Sequence, residues 1–344
     1  MQADIVYPLI RQLLFQLAPE TSHQLTLTAL QQLSRFGRFN PIRQTLPGNP
    51  VKVMGLNFPN PIGLAAGLDK NAECIDGLSA LGFGFIEIGT VTPLPQAGNP
   101  KPRLFRIPDA QALINRMGFN NNGIDNAIQN IEQSSYQGIL GINIGKNRDT
   151  PVENARDDYR IGLQKAYPHA DYITVNISSP NTPGLRKLQG AEQFSALLSA
   201  LAQQRSRLEQ QHQKSVPIAV KIGPDCSKEQ LNQIAELVIL NGMNAIIATN
   251  TTLSRTAIEG LADAHQEGGL SGAPLFEKSL QTVENLSQLL KEEVAIIGCG
   301  GITNKQSAKK MFSAGASLIQ IYTGLIYEGP QLLRDISAKS NLDA

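Results

Sequence analysis

The sequence has only three cysteines and four histidines in 344 residues, and neither set is spaced to hold a metal. Cys74, Cys226 and Cys299 lie far apart, which excludes a disulfide framework or an iron–sulfur cluster and reads as reduced thiols in a cytosolic compartment. His23, His169, His212 and His265 never pair at ligand spacing, so no metal site is expected. A surplus of one charge is missing too. Thirty Lys and Arg against 29 Asp and Glu leave +1, which argues against a dedicated nucleic-acid binder. No run reaches the roughly 18 apolar residues that span a bilayer. The N-terminus lacks the basic region and small-residue cleavage site of a secretory signal. A chain that is soluble, or that lies on a membrane without crossing it, is expected.

At 41% hydrophobic and 17% charged, the chain can bury a full core. Eight short apolar runs, mostly β-branched, recur at 62–66, 85–89, 139–144, 172–177, 217–222, 245–249, 294–298 and 318–322. Uninterrupted runs of this kind suit parallel strands buried on both faces. Helical patterns fall between them, as at 228–240, where Leu231, Ile234, Leu237 and Val238 keep helical spacing. Eight such units predict an α/β fold of the (β/α)8 TIM-barrel type; a doubly wound sheet would not require eight. Segments 51–54 and 56–58 around Gly55 read as a hairpin closing the barrel bottom. Residues 1–45 do not fit the repeat. Ile5, Leu9, Leu13 and Leu17 recur every four positions there, and Pro19 and Glu20 start a second helix that Gly37 can end. His23, Leu27 and Leu30 share a face of that helix. The chain therefore divides into a two-helix extension, 1–45, and a barrel, 46–344. The two helices could pack on the barrel, pair with a second copy, or enter the interfacial zone of a bilayer.

Chemistry in such a barrel sits at the C-terminal strand ends. The first end offers Ala66, Gly67, Leu68, Asp69 and Lys70, small residues against which a flat group can lie, beside a cation. Thr90, Asn143 and Asn176 end the next three strands. Lys221 ends the fifth, where burial without an anionic partner would be costly. Thr249, Asn250 and Thr251 end the sixth. The ring is rich in hydrogen-bond formers and poor in acids, which excludes the paired carboxylates of glycoside hydrolysis. After the fourth strand, NISSPNTPGLR (176–186) places Ser178, Ser179 and Asn181 on a loop bent by Pro180, Pro183 and Gly184, the composition of a mobile lid. Gly300 and Gly301 after the seventh strand, Tyr322 and Thr323 after the eighth, and Gly272 after the sixth form a phosphate site of the barrel type. A phosphate there with a planar group over the mouth indicates FMN. No G-x-G-x-x-G follows the first strand, so a nicotinamide dinucleotide has no evident home.

GLAAGLDKN (63–71), INRMGFNN (114–121) and NISSPNTPGLR together resemble dihydroorotate dehydrogenase of the quinone-dependent, membrane-associated class, from about residue 4 to about residue 330. The resemblance implies a flavoenzyme of pyrimidine biosynthesis that oxidises (S)-dihydroorotate to orotate with FMN and reoxidises the flavin with a respiratory quinone. It further implies peripheral attachment at the cytoplasmic face of a bacterial inner membrane; no nucleic-acid partner is expected, and the chain is read as a monomer. Ser179 matches the catalytic base. Lys70, the segment Asn115, Arg116, Met117, Gly118 and Phe119, and Asn176, Asn181, Asn250 and Thr251 match orotate-binding positions, with Lys70 meeting the substrate carboxylate. His23, Arg106 and Tyr322 match the quinone site; without the resemblance, His23 reads as a surface or helix-packing histidine. Two other readings of the residues stay open. One is a flavin-free phosphate-sugar isomerase or synthase, which would want a carboxylate or histidine base at a strand end. The other is a modest barrel carrying an interaction module at its N-terminus.

Overall fold

The computed structural model describes residues 2–338 except 183, 186, 187 and 189, and leaves the side chains of 2–6, 38 and 191 undescribed, so that of Ile5 lies outside the described residues. Helices α1 (Gln2–Phe15) and α2 (Pro19–Ser34) come first, followed by a hairpin of β1 (Val51–Val53) and β2 (Leu56–Phe58). α2 stops at Ser34, short of Gly37, whose φ of +52° opens a further short turn. Strand β3 (Ile62–Leu64) leads into α3 (Ile75–Ser79), and β4 (Phe85–Val91) follows. The chain then leaves the barrel for β5 (Leu104–Ile107) and β6 (Ala112–Asn115) before α4 (Ile124–Gln133). Three regular units follow: β7 (Ile139–Ile144) with α5 (Ala155–Ala166), β8 (Tyr172–Asn176) with α6 (Ala191–His212), and β9 (Ile218–Ile222) with α7 (Lys228–Leu240). Ser227 starts α7 with a capping box, its side chain and that of Gln230 each bonding the other's backbone N–H. After β10 (Ala245–Ala248), β11 (Gly269–Gly272) breaks out, and α8 (Phe276–Leu290) resumes the alternation. β12 (Ala295–Cys299), α9 (Lys305–Ser313), β13 (Leu318–Ile321), α10 (Thr323–Glu328) and α11 (Gln331–Ser337) complete the chain.

The eight parallel strands close as β3-β4-β7-β8-β9-β10-β12-β13, with β13 pairing back onto β3. This is the (β/α)8 barrel that the apolar runs predict, with strand ends within two residues of expectation. Between strands and helices lies the larger apolar core. Inside the barrel, Phe58 of the hairpin meets Phe85 edge-on at 5.1 Å, and Phe85 meets Tyr172 at 6.2 Å. Gly63 and Gly141 make room for these rings: a Cβ on either would lie 2.2 Å from the ring of Phe85 or Tyr172. The hairpin therefore plugs the bottom of the barrel, and the open end is left for chemistry.

One feature departs from the expected long loop after the second strand. INRMGFNN is not wholly loop, since Ile114 and Asn115 belong to β6, which runs antiparallel between β5 and β11 in a small sheet beside the mouth. Strands of four residues do not establish an alternation that can be read. The N-terminal helices pack on the barrel, the first of the arrangements open to them. Leu27 and Leu30 pack on the barrel core, the Tyr7 hydroxyl donates to the Ile326 carbonyl at 2.7 Å, and Arg11 donates to the Tyr327 carbonyl. Leu9, Leu13 and Leu17 face solvent. Among the described residues, no helix is long and apolar enough to cross a membrane.

Candidate active site

A cavity opens at the C-terminal ends of the barrel strands. The turn after β3 brings Ala66, Gly67 and Lys70 to its wall, and β4 brings Thr90. The loop following β6 supplies Met117, Gly118 and Phe119, with Asn115 at its start. Asn176, Ser179 and Asn181 come from the end of β8, Lys221 from β9, and Thr249, Asn250 and Thr251 from the end of β10. Gly272, Gly301, Tyr322 and Thr323 complete the far side. Residues scattered over 250 positions thus converge, as the strand-end argument requires.

Leu68, Asp69, Asn143 and Arg116 stand behind this wall. The Leu68 carbonyl accepts from the His23 ring at 2.7 Å. The Asp69 carboxylate accepts the backbone N–H groups of Glu73 (2.9 Å) and Cys74 (2.7 Å), holding its own loop, while burial raises its pKa to about 6. Asn143 is fully buried between Glu87 and Thr90. Arg116 turns outward, donating to Gln266 and the Pro102 carbonyl and stacking 4.7 Å over Phe105. Within NISSPNTPGLR, Pro183 and Arg186 lie outside the described residues.

The two lysines differ. Lys70 donates to the Gly67 carbonyl at 2.8 Å, and burial, then the nearby Arg103 charge, lower its pKa to about 8. Lys221 is 5% exposed, yet among the described residues its ammonium makes no hydrogen bond or ion pair. An unpaired cation this buried calls for an anionic group in the cavity. Two further signs point to a bound group. Gln320 Oε1 is buried without a partner, and the Gly300 and Gly301 amides donate to no described protein atom. A Cβ on Gly301 would lie 2.4 Å from Phe276, so the backbone at that turn stays bare.

Ser179 is 6% exposed; its Oγ accepts the Asn181 backbone N–H at 3.3 Å. Asn181 reaches back to the Asn115 carbonyl at 3.0 Å and so ties the loop to β6. Among the described residues, no histidine or carboxylate is bonded to the Ser179 hydroxyl. His23, Arg106 and Tyr322 are not bonded to one another. His23 holds Leu68, the Tyr322 hydroxyl lies 3.5 Å from the Gly67 carbonyl, and Arg106 donates to the Leu17 carbonyl at 2.8 Å. Burial, and then Lys70, lower the pKa of His23 to about 4, so its ring is neutral near pH 7 and Nε2 carries the donated proton.

Sequence reasoning missed Ser271, Cys299 and Gln320 on the wall and Glu87 beneath it. Glu87 and Gln320 left a signal: each is a polar residue inside a run otherwise buried on both faces.

Residues 50–341 match the family model described as dihydroorotate dehydrogenase. The chain is 56% identical over 328 residues to a protein of Methylococcus capsulatus named dihydroorotate dehydrogenase (quinone), covering 95% of this chain and 96% of that one. A protein of the same name from Yersinia pseudotuberculosis is 56% identical over 330 residues, covering 96% and 98%. Among solved structures, the chain is similar to a dihydroorotate dehydrogenase of Eimeria tenella in complex with ferulenol. The TM-score is 0.83 at 37% identity, with 93% of this chain and 89% of that one covered.

Proposed function

Since this chain belongs to the dihydroorotate dehydrogenase family, we infer that its cavity oxidises (S)-dihydroorotate to orotate and passes the electrons to a respiratory quinone, a step of pyrimidine biosynthesis. The observation that carries the reading is the buried Lys221, unpartnered among the described residues, on a cavity wall whose other polar groups are amides, hydroxyls and Lys70, with no carboxylate. FMN fits that wall. Lys221 would face the electron-rich edge of the ring system, Gly67 and Thr90 would flank it, and the bare Gly300 and Gly301 amides with Gly272 and Thr323 would take the phosphate. When bound, FMN supplies the hydride acceptor. The chain itself binds, orients and deprotonates. Asn115, Asn176, Asn181 and Asn250 would hold the substrate's amide and carbonyl edges, and Lys70 its carboxylate. Ser179 would take the C5 proton in a site closed to bulk water, where a weak base can act. The test is optical: dihydroorotate should bleach the yellow protein under nitrogen, and a quinone, but neither fumarate nor NAD, should restore the colour. A colourless protein, or one that dihydroorotate leaves yellow, sinks the reading.

Lys70 gives a pH dependence. Its pKa is lowered, so the charged form that would bind a carboxylate is present below about 8 and lost above it. The dissociation constant for orotate should therefore be flat below that value and rise above it by up to about tenfold per pH unit. A constant unchanged through that range would separate Lys70 from the carboxylate.

We read residues 1–45 as a hood and 46–344 as the catalytic barrel, with the quinone entering beneath the hood near His23, Arg106 and Tyr322. Eleven large hydrophobics stand exposed among the described residues, and seven of them lie between Leu9 and Phe39. A surface so loaded suits peripheral seating on a bilayer. Leu9→Ser/Leu13→Ser should weaken binding to lipid vesicles by about tenfold or more and leave bleaching by dihydroorotate unchanged. Undiminished vesicle binding would remove the hood from the membrane.

A further inference from the structure

We propose that Glu87 is a positioning residue: buried in the barrel beneath the cavity, it sets the donor and acceptor direction of the Asn143–Thr90–Asn176 hydrogen-bond chain, and through it the ligand recognition at Asn176. The inference rests on the reading of the cavity as the flavin and orotate site.

Glu87 lies in the middle of β4 and is 0% exposed. A carboxylate there is tolerable only if fully bonded, and four donors meet it. Oε1 accepts from Asn143 Nδ2 at 2.8 Å. Oε2 accepts from the Tyr172 hydroxyl (2.9 Å), the Thr174 hydroxyl (3.0 Å) and Gln320 Nε2 (2.7 Å). Burial first, and the Glu87 charge after it, push the Tyr172 hydroxyl well above its usual pKa, so it remains a donor.

An acceptor-only group dictates what its neighbours present. Asn143 must turn Nδ2 toward Glu87, which leaves Oδ1 to accept the Thr90 hydroxyl at 2.6 Å. With its proton committed there, Thr90 Oγ1 accepts from Asn176 Nδ2 at 2.9 Å. Asn176 is then left with Oδ1 facing the Ser178 N–H at 3.3 Å and Asn250 Nδ2 at 3.4 Å. Amides and hydroxyls can each be reversed. Glu87 removes that freedom at the inner end, and the backbone N–H groups of Ser178 and Thr251, donating to Asn176 Oδ1 and to Asn250 Oδ1 at 2.8 Å, hold the outer end in the matching sense.

Glu87→Gln keeps the shape but offers Asn143 an amide, which frees Asn143 and Thr90 to invert against the direction that the Ser178 N–H holds at Asn176. In Glu87→Gln/Asn143→Asp, the carboxylate introduced at position 143 accepts both from the new amide and from Thr90, so the direction beyond Thr90 is restored. The holoprotein is titrated with orotate by the change in its visible spectrum, alongside melting curves and FMN content. Glu87→Gln should keep its FMN and bind orotate at least about tenfold more weakly, and the double variant should recover to within about threefold of wild type. Wild-type affinity in the single variant overturns the proposal, as does a loss that the double variant fails to reverse. If Glu87→Gln does not fold, the double variant decides alone, by whether its affinity stays within about threefold of wild type. Should the wild-type protein itself bind no orotate, the fault lies with the reading of the cavity; normal wild-type binding beside an indifferent Glu87→Gln fails Glu87 alone.

Discussion

Ser179→Ala should leave FMN bound and slow its reduction by dihydroorotate by about 10²–10⁴-fold, the usual effect of removing one general base. The hydroxyl lies on the cavity wall at 6% exposure, and its one backbone contact, from Asn181, belongs to its own loop. Alanine therefore removes the proton acceptor without unpacking the site, and orotate affinity should change little. With no histidine or carboxylate bonded to it among the described residues, the hydroxyl depends on enclosure to act at all. Ser179→Cys should retain more activity than alanine, because a thiolate can take a proton. Anaerobic stopped-flow absorbance follows the step directly, and reduction of Ser179→Ala at near wild-type rate would exclude this residue as the base.

Lys221→Met should weaken FMN binding by about 2 kcal/mol or more, roughly 30-fold, as expected when one partner of a buried charged contact is removed. Opposite effects on the two forms are the diagnostic. The ammonium is 5% exposed and unpartnered among the described residues, so without an anion beside it the charge carries a penalty that methionine relieves. The flavin-free variant should thus melt no lower than flavin-free wild type, while the loaded variant should melt lower than loaded wild type. Any FMN that remains should have a lowered reduction potential, for want of the cation beside the reduced ring. A variant that purifies with full FMN at unchanged potential would place Lys221 outside the cofactor site.

The eight barrel strands were legible because burial on both faces demands runs dominated by apolar residues, and the strand ends followed from the topology. The sheet of β5, β6 and β11 was not, since its strands are too short to show a period. Within the site, adjacency in sequence says nothing about which way a side chain points. Asp69 turns into its own loop while Lys70, next to it, lines the cavity. Glu87 and Gln320 were visible letters inside apolar runs, but their meaning depends on Asn143 and Tyr172 arriving from other strands.

The contacts of α2 have a mechanical consequence. Its His23 holds the Leu68 carbonyl, its Leu27 carbonyl accepts the Cys74 thiol at 3.3 Å, and its Leu30 backbone lies so close to Gly77 that a Cβ there would be 2.7 Å away. Glu20 adds an ion pair to Arg103 at 2.9 Å. Helix and loop are thus fastened at points spread along both, with Lys70 between the fastenings. They should open as one unit, so amide protection in 19–34 and 67–80 would be lost together. Lifting α2 would also let water back to Lys70 and return its pKa toward 10.5. A force applied to the outer helix would then be felt as a change in proton affinity inside the cavity.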